Sequence, residues 1–212
     1  MEWEKFIEFT TGLPVINTEL LLAGVSNTVP IKVQISRWEK SGKLIQLKRG
    51  VYVLSDIYRK IDVYEPYAAW LLKKPSYISL EKALEYHNVI PEAVPVYTCV
   101  TTKRPAKFVS GIGTFLYRHI KTALFWGYES VTVNHQTGFI AAPEKALLDL
   151  VYLNNITASL EYFQELRLQN IEKIDPKRLS DYAARFKKPR ILKAAKVIEE
   201  YIHFYREEEK QL

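Results

Sequence analysis

The chain has 212 residues, of which 48% are hydrophobic and 13% aromatic, and its formal net charge is +6. This composition excludes a disordered chain, and the basic balance favours an anionic partner. No apolar run approaches the roughly 20 residues that cross a bilayer, and the single cysteine, Cys99, excludes an internal disulfide and a cysteine-based zinc cluster.

The first 30 residues predict two short helices. Aromatic and aliphatic residues recur at near-helical spacing over residues 2–10, and Gly12 ends that segment. A second helix follows Asn17, a suitable N-cap, and stops at Gly24. Acids stand at the N-terminus where a secretory signal has a basic region, so we expect a cytoplasmic protein.

Residues 31–54 predict an amphipathic helix followed by a hairpin. Ile31, Ile35 and Trp38 recur at i, i+4 and i+7 and form an apolar stripe, and Gly42 follows as a stop. Two short strands then enclose a basic turn that ends in Gly50. The residues expected to contact DNA lie on the opposite helix face, on its flank and on the hairpin: Lys32, Val33, Ser36, Arg37, Lys40, Lys43, Lys48 and Arg49.

A cationic helix that runs into a basic hairpin is typical of a winged helix-turn-helix, in which the helix enters the major groove and the wing touches the backbone. Residues 27–60 contain eight cations against two acids, so the positive charge is concentrated there. The alternative is a solvated charged helix face followed by an ordinary hairpin, which many proteins contain without binding DNA.

The hydrophobic pattern lapses before residue 62, and we place a domain boundary there, giving a winged-helix domain over 1–62 and a larger mixed α/β domain over 63–212. The overall class is therefore α/β (α+β), with a mainly antiparallel sheet and C-terminal helices in the larger domain. Its predicted helices span 63–74, 79–86, 144–153, 160–168, 176–186 and 190–208, and its predicted strands 94–102, 114–119, 129–133 and 138–141.

Catalytic motifs are weak in this sequence. The four histidines do not approach metal-ligand spacing, and we predict neither a metal site nor a cofactor. Glu144 and Asp149, beside Lys145, offer the carboxylates of a metal-dependent nuclease. All three belong to one predicted helix and fall on its polar side, so solvated charges or ion pairs explain them more simply, and we predict no enzyme activity.

Two further segments are basic and lack acids. Residues 101–121 interleave cations with Phe108, Phe115 and Tyr117, which indicates either a surface for RNA or an acidic protein or, alternatively, strands whose aromatic half faces inward. A second run over 185–196 either flanks bound DNA or solvates a helix start. The cations of the first segment are a candidate antitoxin or nucleic-acid surface: Lys103, Arg104, Lys107, Arg118 and Lys121.

Five blocks of the sequence resemble the abortive-infection AbiE antitoxin (AbiEi) family. They are GKLIQLKRGVYVL, YISLEKALEYHNVIPE, VTTKRPAKF, GTFLYRHIK and APEKALLDLVYL, in that order over residues 30–153. The resemblance implies a type IV toxin-antitoxin protein from a bacterium or archaeon, with an N-terminal winged helix that represses its own operon. It also implies a C-terminal domain that counters a nucleotidyltransferase-like toxin without necessarily forming a stable complex.

The expected function is therefore a DNA-binding antitoxin of a phage-defence system. Its expected partners are promoter DNA with repeated half-sites, bound by a homodimer or by two copies side by side, and the cognate toxin. The alternative is a solitary transcriptional regulator whose C-terminal domain senses a ligand or a protein.

Overall fold

The computed structural model describes residues 2–209. Its N-terminal part has three helices and three strands in the order helix, strand, helix, helix, strand, strand. The strands form one antiparallel sheet in the order β1-β3-β2. The elements are α1 (Trp3–Thr10), β1 (Ile16–Asn17), α2 (Thr18–Leu21), α3 (Val29–Lys40), β2 (Leu44–Lys48) and β3 (Val51–Leu54).

A small aromatic core holds α1, α3 and the sheet together. Trp38 of α3 lies 4.7 Å from Phe6 and 5.0 Å from Trp3 between ring centroids. Ile35, one turn before Trp38, is buried with it, as the apolar stripe predicted. The buried side therefore fixes which side of α3 faces outward.

Two glycines with positive φ shape the passage from α3 to the hairpin. Gly42 has φ +72°, and Lys43 N donates to Trp38 O, which ends the helix at the residue that the sequence predicted. Gly50 has φ +79° in the turn between β2 and β3, and its carbonyl accepts from the backbone N–H of Thr18. The hairpin turn is thereby tied to the start of α2.

The larger part contains a six-stranded sheet in the order β6-β7-β5-β4-β9-β8. β4 pairs with β9, and β5 with β7, in parallel, and the three other pairs are antiparallel. The predicted mainly antiparallel sheet is confirmed. The strands are β4 (Ser76–Ile78), β5 (Val96–Thr101), β6 (Ala106–Ser110), β7 (Gly113–His119), β8 (Tyr128–Val133) and β9 (Gln136–Ala141).

Six α-helices accompany this sheet, and the last four follow it in sequence, so the predicted α/β class with C-terminal helices is confirmed. Asp175 caps α8 by accepting from the N–H groups of Lys177 and Arg178, as its position before Pro176 predicted. The helices are α4 (Glu65–Leu72), α5 (Leu80–Tyr86), α6 (Pro143–Asn154), α7 (Leu160–Glu165), α8 (Pro176–Phe186) and α9 (Pro189–Glu209).

The sequence did not predict three of the strands, β1, β4 and β6. β1 and β4 have two and three residues, too few to show an alternating pattern. Burial alternates along β6, where Lys107 and Val109 are the exposed residues. Because Val109 is apolar, the alternation of polar and apolar residues that would predict a strand is missing from the sequence. The predicted helix over 160–168 is shorter than expected, since α7 ends at Glu165.

The two parts share a hydrophobic core across the hairpin. Leu44 and Leu54 face α3, whereas Leu47, Val51 and Val53 pack into the core of the larger part. The side chain of Gln136 bridges the connecting segment by accepting from Tyr64 N and donating to Asp62 O. The hairpin is therefore packed on both faces.

Among residues 2–209, no helix is both long and apolar enough to cross a membrane.

Candidate nucleic-acid interface

The outer face of α3 is an exposed cationic surface of the N-terminal part. Burial of Ile35 and Trp38 turns Lys32, Ser36 and Arg37 outward, and all three are exposed. Because the helical period is 3.6 residues, Lys40 lies one turn beyond Ser36 and Arg37 on that face. The apolar side chain of Val33 is 48% exposed to solvent on the same face as these cations.

Among the side chains that the structure describes, those of residues 2–206, no carboxylate is a counterion for the cations of this face. Within that range neither Arg37 nor Lys40 lies within salt-bridge distance of a carboxylate, and neither side chain donates a hydrogen bond. Both stand in the last turn of α3, where a cation complements the helix dipole. They are available for phosphates or base-edge acceptors.

A groove separates α3 from the tip of the hairpin. Its volume is about 690 Å³, and Lys32 and Arg49 line it together with Thr28, Glu19 and Tyr52. Arg49 is exposed and lacks a partner among the described residues. Two cations thus converge on one groove from different elements, an arrangement that suits a strand of phosphates passing between helix and hairpin.

Lys48 is placed differently from the expectation that it would be a free cation on the wing. Its Nζ donates to the carbonyl oxygens of Leu71 and Leu72, at 3.2 and 2.8 Å, in the last turn of α4. Burial, with Lys74 and Lys73 nearby, lowers the pKa of Lys48. We therefore remove Lys48 from the candidate DNA contacts and assign it to the junction between the hairpin and α4.

Lys43 also has a structural contact. Its ammonium lies 4.8 Å from the centroid of the Trp3 ring of α1. Its side chain is only partly exposed. Lys43 is therefore held apart from the α3 face. Among the residues predicted to contact DNA, the exposed cations without a partner in the described part of the chain are Lys32, Arg37, Lys40 and Arg49.

The basic segment over 101–121 resolves into two kinds of residue. Phe115 and Tyr117 are fully buried, so the alternative of strands with an inward aromatic half is confirmed. Arg118 donates through Nη2 to Leu153 O at 2.6 Å and through Nη1 to Asn154, at the end of α6. Arg118 is thus engaged at a helix terminus, and the exposed cations of this segment are Lys103, Arg104, Lys107 and Lys121.

The second basic run is likewise divided. Arg185 lies 3.8 Å from the centroid of the Trp126 ring, and Arg190 donates to Tyr152 O and Asn155, again at the end of α6. The remaining cations are exposed: Lys187, Lys188, Lys193 and Lys196. Charge counting along the sequence therefore overstates the cations available to a partner.

A fully buried charged cluster on α6 corrects one prediction. Glu144, Lys145 and Asp149 were expected on a solvated polar side, but each is 0% exposed. Lys145 pairs with Asp149, which also accepts from Tyr77 Oη and Ser79 Oγ at 2.9 Å each. The prediction was wrong because α6 is covered by α5, α8, α9 and β9, so it has no solvent side along this stretch.

Of the two explanations that the sequence offers, solvated charges or ion pairs, the structure shows ion pairs: Lys145 with Asp149, and Glu144 with Arg178. Glu144 Oε1 accepts from Asp175 N at 2.7 Å and from Arg178 Nη2 at 2.9 Å. Burial lowers the pKa of Lys145 and raises that of Asp149, while their ion pair opposes both shifts. The cluster links α6 to β4 through Asp149 and Tyr77, and to α8 through the ion pair of Glu144 with Arg178.

Among the described side chains, those of residues 2–206, no three histidine, cysteine, aspartate or glutamate side chains are grouped as metal ligands would be. His87 Nε2 donates to Ala141 O at 2.8 Å, and burial lowers the pKa of His87.

Comparison of the chain with protein-family models and with curated proteins found no match in either set.

Proposed function

We propose that the chain is a DNA-binding antitoxin that represses its own operon. The observation that carries the DNA-binding part is the exposed face of α3, where Arg37 and Lys40 lack counterions beside the groove shared by Lys32 and Arg49. The order of helices and strands and the antiparallel β1-β3-β2 sheet are those expected of a winged helix-turn-helix. In this proposal α3 enters the major groove and Arg49 contacts the backbone.

The antitoxin part rests on the resemblance of the five sequence blocks to the AbiEi family. Residues after 62 would counteract a nucleotidyltransferase-like toxin in the cytoplasm, without a cofactor or catalysis. Among the cations of this part, Lys103, Arg104 and Lys107 are exposed and lie within five residues of the chain, so they are the first residues to test. Coexpression with the neighbouring gene product, scoring growth with the full chain and with its Lys103/Arg104/Lys107 triple glutamine variant, tests this role.

The DNA-binding part predicts a footprint with two half-sites. A single winged helix reads a short site, so a dimer or two adjacent copies would cover repeated half-sites spaced by about one helical turn or a multiple of it. A footprint over the chain's own promoter tests this expectation. Protection of one unrepeated half-site would contradict it.

A solitary regulator is the second candidate, and the packing of the hairpin favours it. Leu47, Val51 and Val53 lie in the core of the larger part. A conformational change caused by a ligand or protein bound to that part would therefore reach the proposed wing through direct packing. The two candidates differ in the toxin: a nucleotidyltransferase-like reading frame beside this gene, whose toxicity the chain suppresses, supports the antitoxin. Its absence supports the solitary regulator.

The nuclease alternative has lost its main support. Asp149 is 0% exposed and holds Lys145, Tyr77 and Ser79, so it cannot receive a metal ion without breaking that cluster. Glu144 is likewise committed to Arg178. Cleavage of DNA or RNA that requires Mg²⁺ and is abolished by Glu144→Gln would restore this alternative.

A further inference from the structure

A second cavity lies on the other side of the hairpin tip from the α3 groove. Its volume is about 900 Å³, within the range of small-molecule sites in proteins. Leu20 and Leu21 of α2 line it together with Tyr67 and Leu71 of α4. The cavity therefore spans the junction between the N-terminal part and the larger part.

Apolar surface is exposed at this cavity. Leu20 is 76% exposed and Leu13 is 43% exposed, although both lie beside the buried Val15 and Ile16. Each exposed leucine alone is ordinary, but two on the walls of one concave space provide apolar area that a ligand would remove from water. The walls thus suit a hydrocarbon chain or a ring.

Positive charge is crowded at the same cavity. Lys48, Arg49 and Lys74 line it, and Glu19 is the only acid among its lining residues. Lys74 lies over the Trp70 ring at 3.6 Å, and Lys48 is held by Leu71 O and Leu72 O, so two of the three cations are fixed in place. Burial first and Lys74 next lower the pKa of Lys48, while Glu19 opposes them, so repulsion between the two lysines outweighs the nearby acid.

We propose that this cavity binds a small organic anion, a carboxylate or sulfonate with an apolar body, and that its occupation weakens DNA binding. The apolar body would cover Leu20 and Leu71, and the anionic group would lie among Lys48, Arg49 and Lys74. An anion there offsets the charge crowding, whereas a neutral ligand of the same shape gains only the apolar contact.

The coupling to DNA runs through Arg49 and Gly50, which line both this cavity and the α3 groove. An anion held by Arg49 on one side competes with the phosphate that Arg49 would meet on the other. This coupling rests on the proposed DNA-binding function, whereas binding of the anion does not.

Titration of the full chain with decanoate and with 1-naphthoate, followed by calorimetry, tests the cavity. We expect saturable binding of one molecule per chain for at least one of the two probes, and the two arms distinguish a chain-like from a ring-like ligand. Decanol, which has the same chain without the charge, should bind more weakly than decanoate. Absence of saturable binding for both anions would overturn the proposal.

Two variants locate the site. Lys74→Gln removes a lining cation and should weaken probe binding by about fivefold, the loss typical of one partly exposed charge pair. Leu20→Glu places an acid on the apolar wall and should weaken it more than tenfold. Lys177→Gln and Phe9→Glu are the matched controls, since both residues are exposed and lie outside the cavity; these variants should bind the probe as the wild type does. Equal binding by all four variants would refute the assignment.

Promoter binding with and without saturating probe tests the coupling. We expect saturating probe to lower the apparent affinity of the wild type for DNA. The Leu20→Glu variant, which binds the probe weakly, should have the same DNA affinity with and without the probe. A probe that binds and leaves DNA affinity unchanged would overturn the coupling. If the free chain does not bind DNA at all, the proposed function fails, while the calorimetric result still decides whether the cavity binds an anion.

Discussion

The ammonium of Lys48 lies 2.8 Å from the carbonyl oxygen of Leu72, and this hydrogen bond joins the hairpin of the N-terminal part to the end of α4. The last carbonyls of a helix have no partner within the helix, and a cation also complements the negative end of its dipole. The same arrangement recurs at α5, where Lys173 Nζ donates to His87 O, and at α6, where Arg118 and Arg190 converge.

Adjacent residues of the hairpin turn should therefore respond differently to substitution. Lys48→Met leaves two helix carbonyls without their donor and should lower the free energy of unfolding by about 1–2 kcal/mol. Arg49→Gln removes an exposed cation and should leave stability within about 0.5 kcal/mol of the wild type. Denaturant unfolding of both variants measures the difference. Equal stability of the two would show that the Lys48 contacts contribute nothing.

Arg118 and Lys107 provide a second contrast. Arg118→Gln should destabilise the chain by about 1 kcal/mol because the end of α6 loses its donor, whereas Lys107→Gln on an exposed position should not. Thermal unfolding compares them. If the glutamine at 107 costs as much as the one at 118, the capping role of Arg118 is wrong.

The buried pair on α6 should be strongly coupled. Lys145→Met leaves the Asp149 carboxylate buried without its cation, and Asp149→Asn leaves the Lys145 ammonium without its anion, so each should cost about 3–5 kcal/mol. The double variant removes both charges while asparagine still accepts from Tyr77 and Ser79. Its loss should be smaller than the sum of the single losses by at least about 2 kcal/mol. Additive losses would argue against a buried ion pair.

The pH dependence of stability should contain a contribution from His87. Burial lowers its folded-state pKa below the ordinary value of 6.5, against the opposing hydrogen bond to Ala141. The neutral form is thus favoured by folding, so this contribution is complete above pH 6.5 and is lost as the pH falls below it. His87→Gln should flatten the stability profile in that range, and His119→Gln, at an exposed position, should retain it.

Local patterns in the sequence were sufficient for several elements. The stripe of Ile35 and Trp38 identified the buried side of α3, and Asp175-Pro176 and Gly42 identified helix ends, because periodicity and capping depend on neighbours in the chain. The predicted α/β class was confirmed for the same reason.

Contacts distant in sequence were not accessible in this way. Lys48 meets carbonyls 23 and 24 residues later, and Arg118 meets one 35 residues later, so their charge alone suggested free cations. The burial of Asp149 follows from packing by other helices, and no periodicity within α6 signals it. The cavity beside Leu20 is formed by α2, α4 and the hairpin together, so only the folded chain reveals it.

The salt dependence of promoter binding tests the central claim most directly. Arg37→Ala combined with Lys40→Ala removes two cations from the α3 face, and Lys5→Ala combined with Lys177→Ala removes the same charge from exposed positions elsewhere. If α3 binds DNA, the first variant should lose roughly tenfold or more in affinity. The slope of its log affinity plotted against log salt concentration should be shallower than that of the wild type by about 1–2. The control should match the wild type. Full affinity and an unchanged slope for the Arg37/Lys40 variant would contradict the account.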